Sequence, residues 1–215
     1  MPFRHKVDHG ASEDRLQRLM TERLVPGADI EAIDRRIWDL FGEEWCIMAT
    51  DLSGFSRGVA KFGIIHFLQT IYESERILVP VVESHDGILL KVEGDSFFVI
   101  FRNVQKALLA SIEMQRTVRR YNEGREAEDH VLLGVGLGFG RMLRIADAEV
   151  YGVEVNSACI LGESYAKSYD ILVTQAVRER AGEGIEFEPF DFVPPGAGAT
   201  YKVIYSSSSD ALNGD

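Results

Sequence analysis

The order of strand-like and helix-like segments limits this chain to few folds. Short apolar runs predict strands at residues 46–49, 87–91, 96–101 and 131–138. Amphipathic runs typical of helices separate them at residues 58–84 and 104–121. The predicted order is β-α-β-β-α-β, the ferredoxin-like plan of an antiparallel sheet with helices on one face. The predicted fold class is therefore α+β.

Further segments flank this core. Two short amphipathic helices are predicted before it, the first ended by Pro26-Gly27 and the second capped by Asp29. After the core we predict the elements strand 141–145, helix 154–167, strand 171–174, a short helix, and a closing hairpin of strands 185–192 and 200–205. The predicted organisation is a helical extension over residues 1–43, a catalytic domain over 44–205 and a disordered tail over 206–215.

Composition narrows the classes of partner. The 215 residues include 34 acidic and 23 basic side chains, a net charge of −11, which disfavours binding to duplex phosphate. The two cysteines, Cys46 and Cys159, lie in apolar surroundings without C-x-x-C spacing, so we predict buried thiols in a reducing compartment. No run approaches about 18 apolar residues. We predict a cytoplasmic protein without nucleic-acid or membrane partners.

Two aspartates occupy positions suited to metal chemistry. Asp51 ends the first predicted strand, and Asp95 lies at the tip of the predicted hairpin. The first and third strands of a β-α-β-β fold are antiparallel neighbours, so the two carboxylates are expected to meet at one edge. Paired carboxylates form a hard oxygen site suited to Mg²⁺. Each aspartate alone is more often an ordinary turn or cap residue, but the combination is less expected by chance.

Three motifs carry a resemblance to a known family. The run from Asp51 to Ser56 resembles the D-x-x-G-F-[ST] signature of class III adenylate and guanylate cyclases. The run from Lys91 to Asp95 is similar to the K-x-x-G-D hairpin of that family, and the run from Val155 to Ala158 to its V-N-x-A helix start. The resemblance covers about residues 45–205, and the motifs follow the order of the family.

The resemblance implies a shared active site. Class III catalytic domains pair head to tail, and each site is built from both subunits. One subunit binds two Mg²⁺ or Mn²⁺ ions, here through Asp51, Leu52 and Asp95. The partner supplies the purine-reading lysine and the asparagine of the later helix, here Lys91 and Asn156.

The remaining assignments concern the nucleotide. Glu149 stands where the family usually has the aspartate that reads adenine, and with Lys91 it favours ATP over GTP. Four more residues are expected to contact substrate because they belong to the two aspartate motifs: Gly54, Phe55, Ser56 and Gly94. Gly54 would also let backbone N–H groups approach phosphate at the start of the following helix.

Two positions depart from the family pattern. Ile160 stands where an arginine usually stabilises the transition state, and an arginine so placed is worth roughly 10³–10⁵ in rate in arginine-finger systems. Arg57, Arg141 and Arg144 are candidate replacements by position only, and an exposed surface arginine is the more ordinary interpretation of each. The turn at residues 194–199 has no lysine for the triphosphate, and Lys202 lies within the last strand.

The glycines of the run 134–140 alternate along a strand and lack the G-x-G-x-x-G spacing before a helix. Close backbone packing at the dimer or nucleotide cleft is the better interpretation. Three functions remain open from the residues: a cyclase making cyclic AMP, a degenerate cyclase domain that binds nucleotide or a partner without turnover, and a cyclase for guanine or a pyrimidine nucleotide.

Overall fold

A computed structural model describes residues 10–52 and 62–206. The predicted substrate residues Gly54, Phe55 and Ser56, together with Arg57, lie outside the described residues, as do the first part of the predicted helix 58–84 and the tail from residue 207. The elements before the sheet are helices α1 (Ala11–Arg23) and α2 (Ile30–Phe41). The Asp29 carboxylate accepts a hydrogen bond from the Ala32 N–H at 2.9 Å and so caps α2.

The core follows in the predicted order. Its elements are β1 (Gly42–Leu52), α3 (Ile64–Ser84), β2 (Ile88–Glu93), β3 (Ser96–Phe101), α4 (Val104–Asn122) and β4 (Leu133–Ile145). The α+β class and the β-α-β-β-α-β order are confirmed. The strand β1 begins at Gly42, before the predicted start at Cys46, because α2 leads into it without a linker. The domain division after residue 43 stays a prediction.

The second half contains elements that the sequence predicted, such as the strand 171–174, and others that it did not, such as a short strand at 149–151. They are β5 (Glu149–Tyr151), α5 (Val153–Cys159), a π-helical segment (Ile160–Tyr165), β6 (Ile171–Thr174), α6 (Gln175–Arg180), β7 (Glu186–Phe190) and β8 (Thr200–Ile204). The strands predicted at 131–138 and 141–145 form one strand, β4, because Gly140 continues the ladder opposite Trp45. The single helix predicted at 154–167 is instead an α-helix followed by a π-helical turn.

One sheet in the order β2-β3-β1-β4-β6-β8-β7 joins all strands but β5, which pairs with β4. Strand β1 is central and antiparallel to both β3 and β4. Side chains alternate along it, so Cys46 and Met48 pack with α3 and α4, while Ile47 and Ala49 face the other way.

The two helices of the β-α-β-β-α-β core, α3 and α4, pack on one face of the sheet as predicted, and a later helix lies on the other face. The second face of the sheet is covered by α5, whose Val155 and Ala158 pack against Ile47 and Ala49. A further small core joins the N-terminal helices to Ile145 at the far end of β4. The helical extension therefore packs on the sheet itself.

Glycines explain how α5 approaches the sheet so closely. A Cβ atom at Gly136 would lie 2.1 Å from the Ala158 carbonyl oxygen, and one at Gly138 would lie 2.2 Å from that of Glu154. The alternating glycines therefore permit close backbone packing, as predicted. Their partner is α5 of the same chain, however, which corrects the expectation of a dimer or nucleotide contact.

Candidate active site

The two motif aspartates lie at one end of the central strands. The last residue pair of the β1–β3 ladder joins Ala49 to Phe98, and the Phe97 N–H donates to the Thr50 hydroxyl at 3.0 Å. Asp51 is the last but one residue of β1, and Asp95 precedes β3 in the turn after Gly94, whose φ of 63° suits glycine. The antiparallel pairing thus brings both carboxylates to the same end of these central strands, here called the aspartate edge.

Their electrostatics reflect this proximity. Burial raises the pKa of Asp51 to about 7, and the negative charges of Asp95 and Glu163 contribute to the rise. Burial also raises the pKa of Asp95. Like charges in a half-buried site disfavour the ionised forms. A divalent cation would offset this repulsion, so the two side chains fit a hard oxygen-ligated ion.

The other predicted metal residue, Leu52, lies next to Asp51. Leu52 ends β1, and its N–H donates to the Asp51 carboxylate, which opposes the rise of that pKa. No group of three or more His, Cys, Asp or Glu side chains within residues 10–52 and 62–206 could hold a metal ion. A site for Mg²⁺ does not require one, because this ion usually keeps waters and binds one or two carboxylates plus substrate phosphates.

Glu163 is the residue that sequence reasoning missed. It lies in the π-helical segment, which Gly162 seats on the sheet: a Cβ there would be 2.5 Å from the Ala49 carbonyl oxygen. The pKa of Glu163 is raised by burial and by the charges of Glu93 and Asp95. No motif marks this position, and only the π-helical geometry brings it near the aspartates.

The predicted base-reading residues also meet. The Lys91 ammonium lies 3.4 Å from the Glu149 carboxylate and 2.8 Å from that of Glu93. It also sits 5.4 Å from the centroid of the Phe98 ring. The hydrogen bond to Glu93 is the main cause of a raised Lys91 pKa, with Glu149 adding to it. Lys91 is therefore charged and held on the same face of the sheet as α5.

Asn156 is exposed on α5. Among the hydrogen bonds of the described residues, none joins its side chain to the aspartates or to Lys91. Its helix is fixed by Glu154, whose carboxylate accepts from the Phe139 N–H at 3.1 Å and from the Thr174 hydroxyl at 2.6 Å. Ile160 begins the π-helical segment and offers only hydrocarbon.

The candidate replacement cations are engaged elsewhere. Arg141 lies 4.6 Å from the centroid of the Trp38 ring on α2, and Arg144 lies 5.4 Å from that of Trp45. Lys202 forms an ion pair with Asp170 at 2.9 Å. Within the chain as described, these three side chains therefore have partners outside the aspartate edge.

Comparison with solved structures identifies the fold. The adenylyl cyclase CyaB from P. aeruginosa superposes with a TM-score of 0.66 at 16% identity, covering 78% of this chain and 96% of that one. An adenylate/guanylate cyclase/hydrolase from Silicibacter pomeroyi gives 0.65 at 19% identity, with 77% and 98% covered. The guanylyl cyclase Cya2 gives 0.62 at 19% identity, with 75% and 92% covered. The chain has the fold of the class III adenylate and guanylate cyclase domains.

Two relatives are similar in sequence, at higher identity but over a shorter part of this chain. The chain is 29% identical over 133 residues to the serine/threonine-protein kinase pkn2 of Myxococcus xanthus. The aligned region covers 61% of this chain and 16% of the kinase. It is 23% identical over 133 residues to putative adenylate cyclase 3 of Rhizobium meliloti strain 1021, covering 62% of this chain and 22% of that protein. The chain thus spans about a fifth or less of these relatives. No protein-family model matches it.

Two remaining expectations concern the chain as a whole. Both cysteines are free thiols; Cys46 is buried, as predicted, whereas Cys159 is only half-buried, and burial raises the pKa of Cys159 to about 11. No helix in the described part of the chain is long and apolar enough to span a membrane. The cellular compartment stays a prediction.

Proposed function

We propose that the chain is a nucleotidyl cyclase that converts ATP to 3′,5′-cyclic AMP and pyrophosphate. The observation that carries this proposal is that Asp51 and Asp95 lie close together. Burial, with a contribution from the Asp95 charge, raises the pKa of Asp51 to about 7. The cyclase fold supports it. A half-buried acidic pair in this fold is suited to holding divalent cations against a triphosphate.

The reaction requires positioning more than covalent chemistry. The ribose 3′-oxygen bonds to the α-phosphorus, the bond from that phosphorus to the pyrophosphate oxygen breaks, and the hydroxyl proton leaves to solvent. Asp51 and Asp95 would hold two Mg²⁺ or Mn²⁺ ions, with Leu52 beside them. When bound, such ions neutralise phosphate charge and lower the pKa of the attacking hydroxyl. Asn156 would orient the ribose.

Lys91 and Glu149 would recognise the base. Lysine donates hydrogen bonds and glutamate accepts them, so the pair complements the adenine edge, where N1 accepts and the N6 amino group donates. In a head-to-tail dimer the Lys91 and Asp95 of one chain would serve opposite sites. The same donor–acceptor pair can also contact a guanine edge, so a guanine or pyrimidine substrate is the alternative within this class.

A second candidate function is nucleotide binding without turnover. Ile160 favours it, because hydrocarbon cannot stabilise charge on the transferring phosphoryl group. The pairing of Lys202 with Asp170 points the same way, because it engages a cation of the closing hairpin. The cyclase proposal accordingly predicts slow turnover rather than none.

The deciding experiment offers all four nucleoside triphosphates separately, with Mg²⁺ or Mn²⁺, and identifies products by mass spectrometry. Cyclic AMP from ATP supports the proposal. Nucleotide binding without any cyclic product supports the second candidate. A cyclic product carrying another base rejects the adenine assignment.

A further inference from the structure

The Lys91 ammonium is shared between two carboxylates of its own chain. Its distance to Glu93 is 2.8 Å, within the usual range of a charged hydrogen bond, whereas its distance to Glu149 is 3.4 Å. Lys91 is the more buried partner, with 28% of its side chain exposed against 61% for Glu93 and 43% for Glu149. The ammonium is therefore drawn toward Glu93.

Glu93 is well placed to act on Lys91. It is the last residue of β2, pairs with Ser96 across the hairpin, and lies on the same strand as Lys91. A bulge between Leu89 and Lys91 shifts the register of the hairpin. The position is one of the two unspecified residues within the K-x-x-G-D motif, so the motif does not single it out.

The physical consequence concerns competition for hydrogen bonds. Without the Glu93 carboxylate, the Lys91 ammonium would move closer to Glu149 than the present 3.4 Å. The donor and acceptor needed by a base would then satisfy each other, and an incoming base would first have to separate them. Held by Glu93, Lys91 keeps a contact to Glu149 at the outer limit of hydrogen bonding. The Lys91 ammonium and the Glu149 carboxylate then both remain available to a base.

We propose that Glu93 is a positioning residue for the nucleotide base: it anchors Lys91 and keeps the Lys91–Glu149 pair open to a purine edge. This inference rests on the proposed function, because it assigns a base to that pair. It assigns Glu93 no contact with the phosphates.

The test compares Glu93→Gln with the unaltered full chain. Glutamine keeps the size and one acceptor oxygen but removes the charge. We expect KM for ATP to rise about three- to five-fold, the range for an ion pair between partly exposed side chains, with kcat within about two-fold. Inhibition by inorganic tripolyphosphate, which has no base, should be unchanged. Glu93→Asp should recover part of the loss.

The matched control is Glu83→Gln, which neutralises an exposed glutamate at the end of α3 and should leave KM unchanged. An unaltered or lower KM of Glu93→Gln for ATP overturns the inference, as does an equal loss of tripolyphosphate affinity. If the unaltered chain binds ATP but forms no cyclic product, the proposed function fails. Equilibrium binding of ATP and tripolyphosphate then still tests Glu93, through the same expected difference.

Discussion

Lys91 Nζ and Glu149 Oε1 lie 3.4 Å apart, although 58 positions separate the two residues along the chain. The contact forms because β5 and β2 both approach the face covered by α5. Val150 beside Glu149 and Leu90 beside Lys91 pack against the same hydrophobic cluster. Packing of these neighbours thus fixes a polar pair suited to reading a base.

Removing the Glu149 side chain tests this pair. Glu149→Ala should lower kcat/KM for ATP about ten- to hundred-fold, because a hydrogen bond involving a charged group is worth roughly 1.5–3 kcal/mol. Steady-state kinetics with ATP and GTP measures the change. Tyr151→Phe is the control, since its hydroxyl lies 3.5 Å from Glu149 at the limit of hydrogen bonding and should matter little. Equal kinetics for Glu149→Ala and the unaltered chain would exclude a base-reading role.

The raised pKa of Asp51 predicts a pH effect on stability without metal. The folded pKa of about 7 exceeds the unfolded value near 4, so the folded state binds more protons between these values. The free energy of unfolding should therefore fall as pH rises from about 4 to 7 and then level off. Because the carboxylate keeps part of its solvent screening, Asp51→Asn should stabilise the metal-free chain at pH 8 by only about 1–2 kcal/mol.

Urea unfolding in the presence of a chelator measures this effect. The contribution of Asp51 is the difference between the two proteins, and it should be small near pH 4, where the carboxyl is protonated in the folded chain and about half protonated in the unfolded chain. A stabilisation by Asp51→Asn that is the same at pH 4 and pH 8 would refute the electrostatic explanation.

The contact between β4 and α5 predicts a strong steric effect. Gly136→Ala would place its Cβ 2.1 Å from the Ala158 carbonyl oxygen, a backbone atom that cannot turn away. We expect a loss of about 2–4 kcal/mol in the free energy of unfolding. Gly140→Ala is the matched control on the same strand, because its nearest neighbour is the Glu154 side chain at 3.1 Å, which can shift. Similar stability of the two variants would contradict the packing.

A mixing experiment tests whether sites are shared between subunits. Asp95→Ala and Asn156→Ala should each be nearly inactive alone. In a head-to-tail dimer, their heterodimer has one intact site, so an equal mixture should regain about a quarter of the unaltered activity, since half the dimers are mixed. Activity that stays at the level of the separate variants would argue against sites built from both chains.

Much of the core could be predicted from the sequence because it depends on local sequence patterns. Short apolar runs and turn residues predicted β1 and the hairpin of β2 and β3, and the order of these strands predicted that Asp51 would lie near Asp95. Packing between segments that are distant along the chain could not be predicted. The π-helical segment that brings Glu163 near Asp51 depends on Gly162 lying against Ala49, which no periodicity in either segment encodes.

The most direct test of the central claim is the initial rate of cyclic AMP and pyrophosphate formation from ATP by the unaltered chain, Asp51→Asn and Asp95→Asn. The unaltered chain should form both products in equal amounts. Each variant should lose at least about 10²-fold in rate while keeping its circular dichroism spectrum, as expected when transition-state charge loses its stabilisation. Absence of product from the unaltered chain, or substantial activity in either variant, would contradict the role of these two carboxylates.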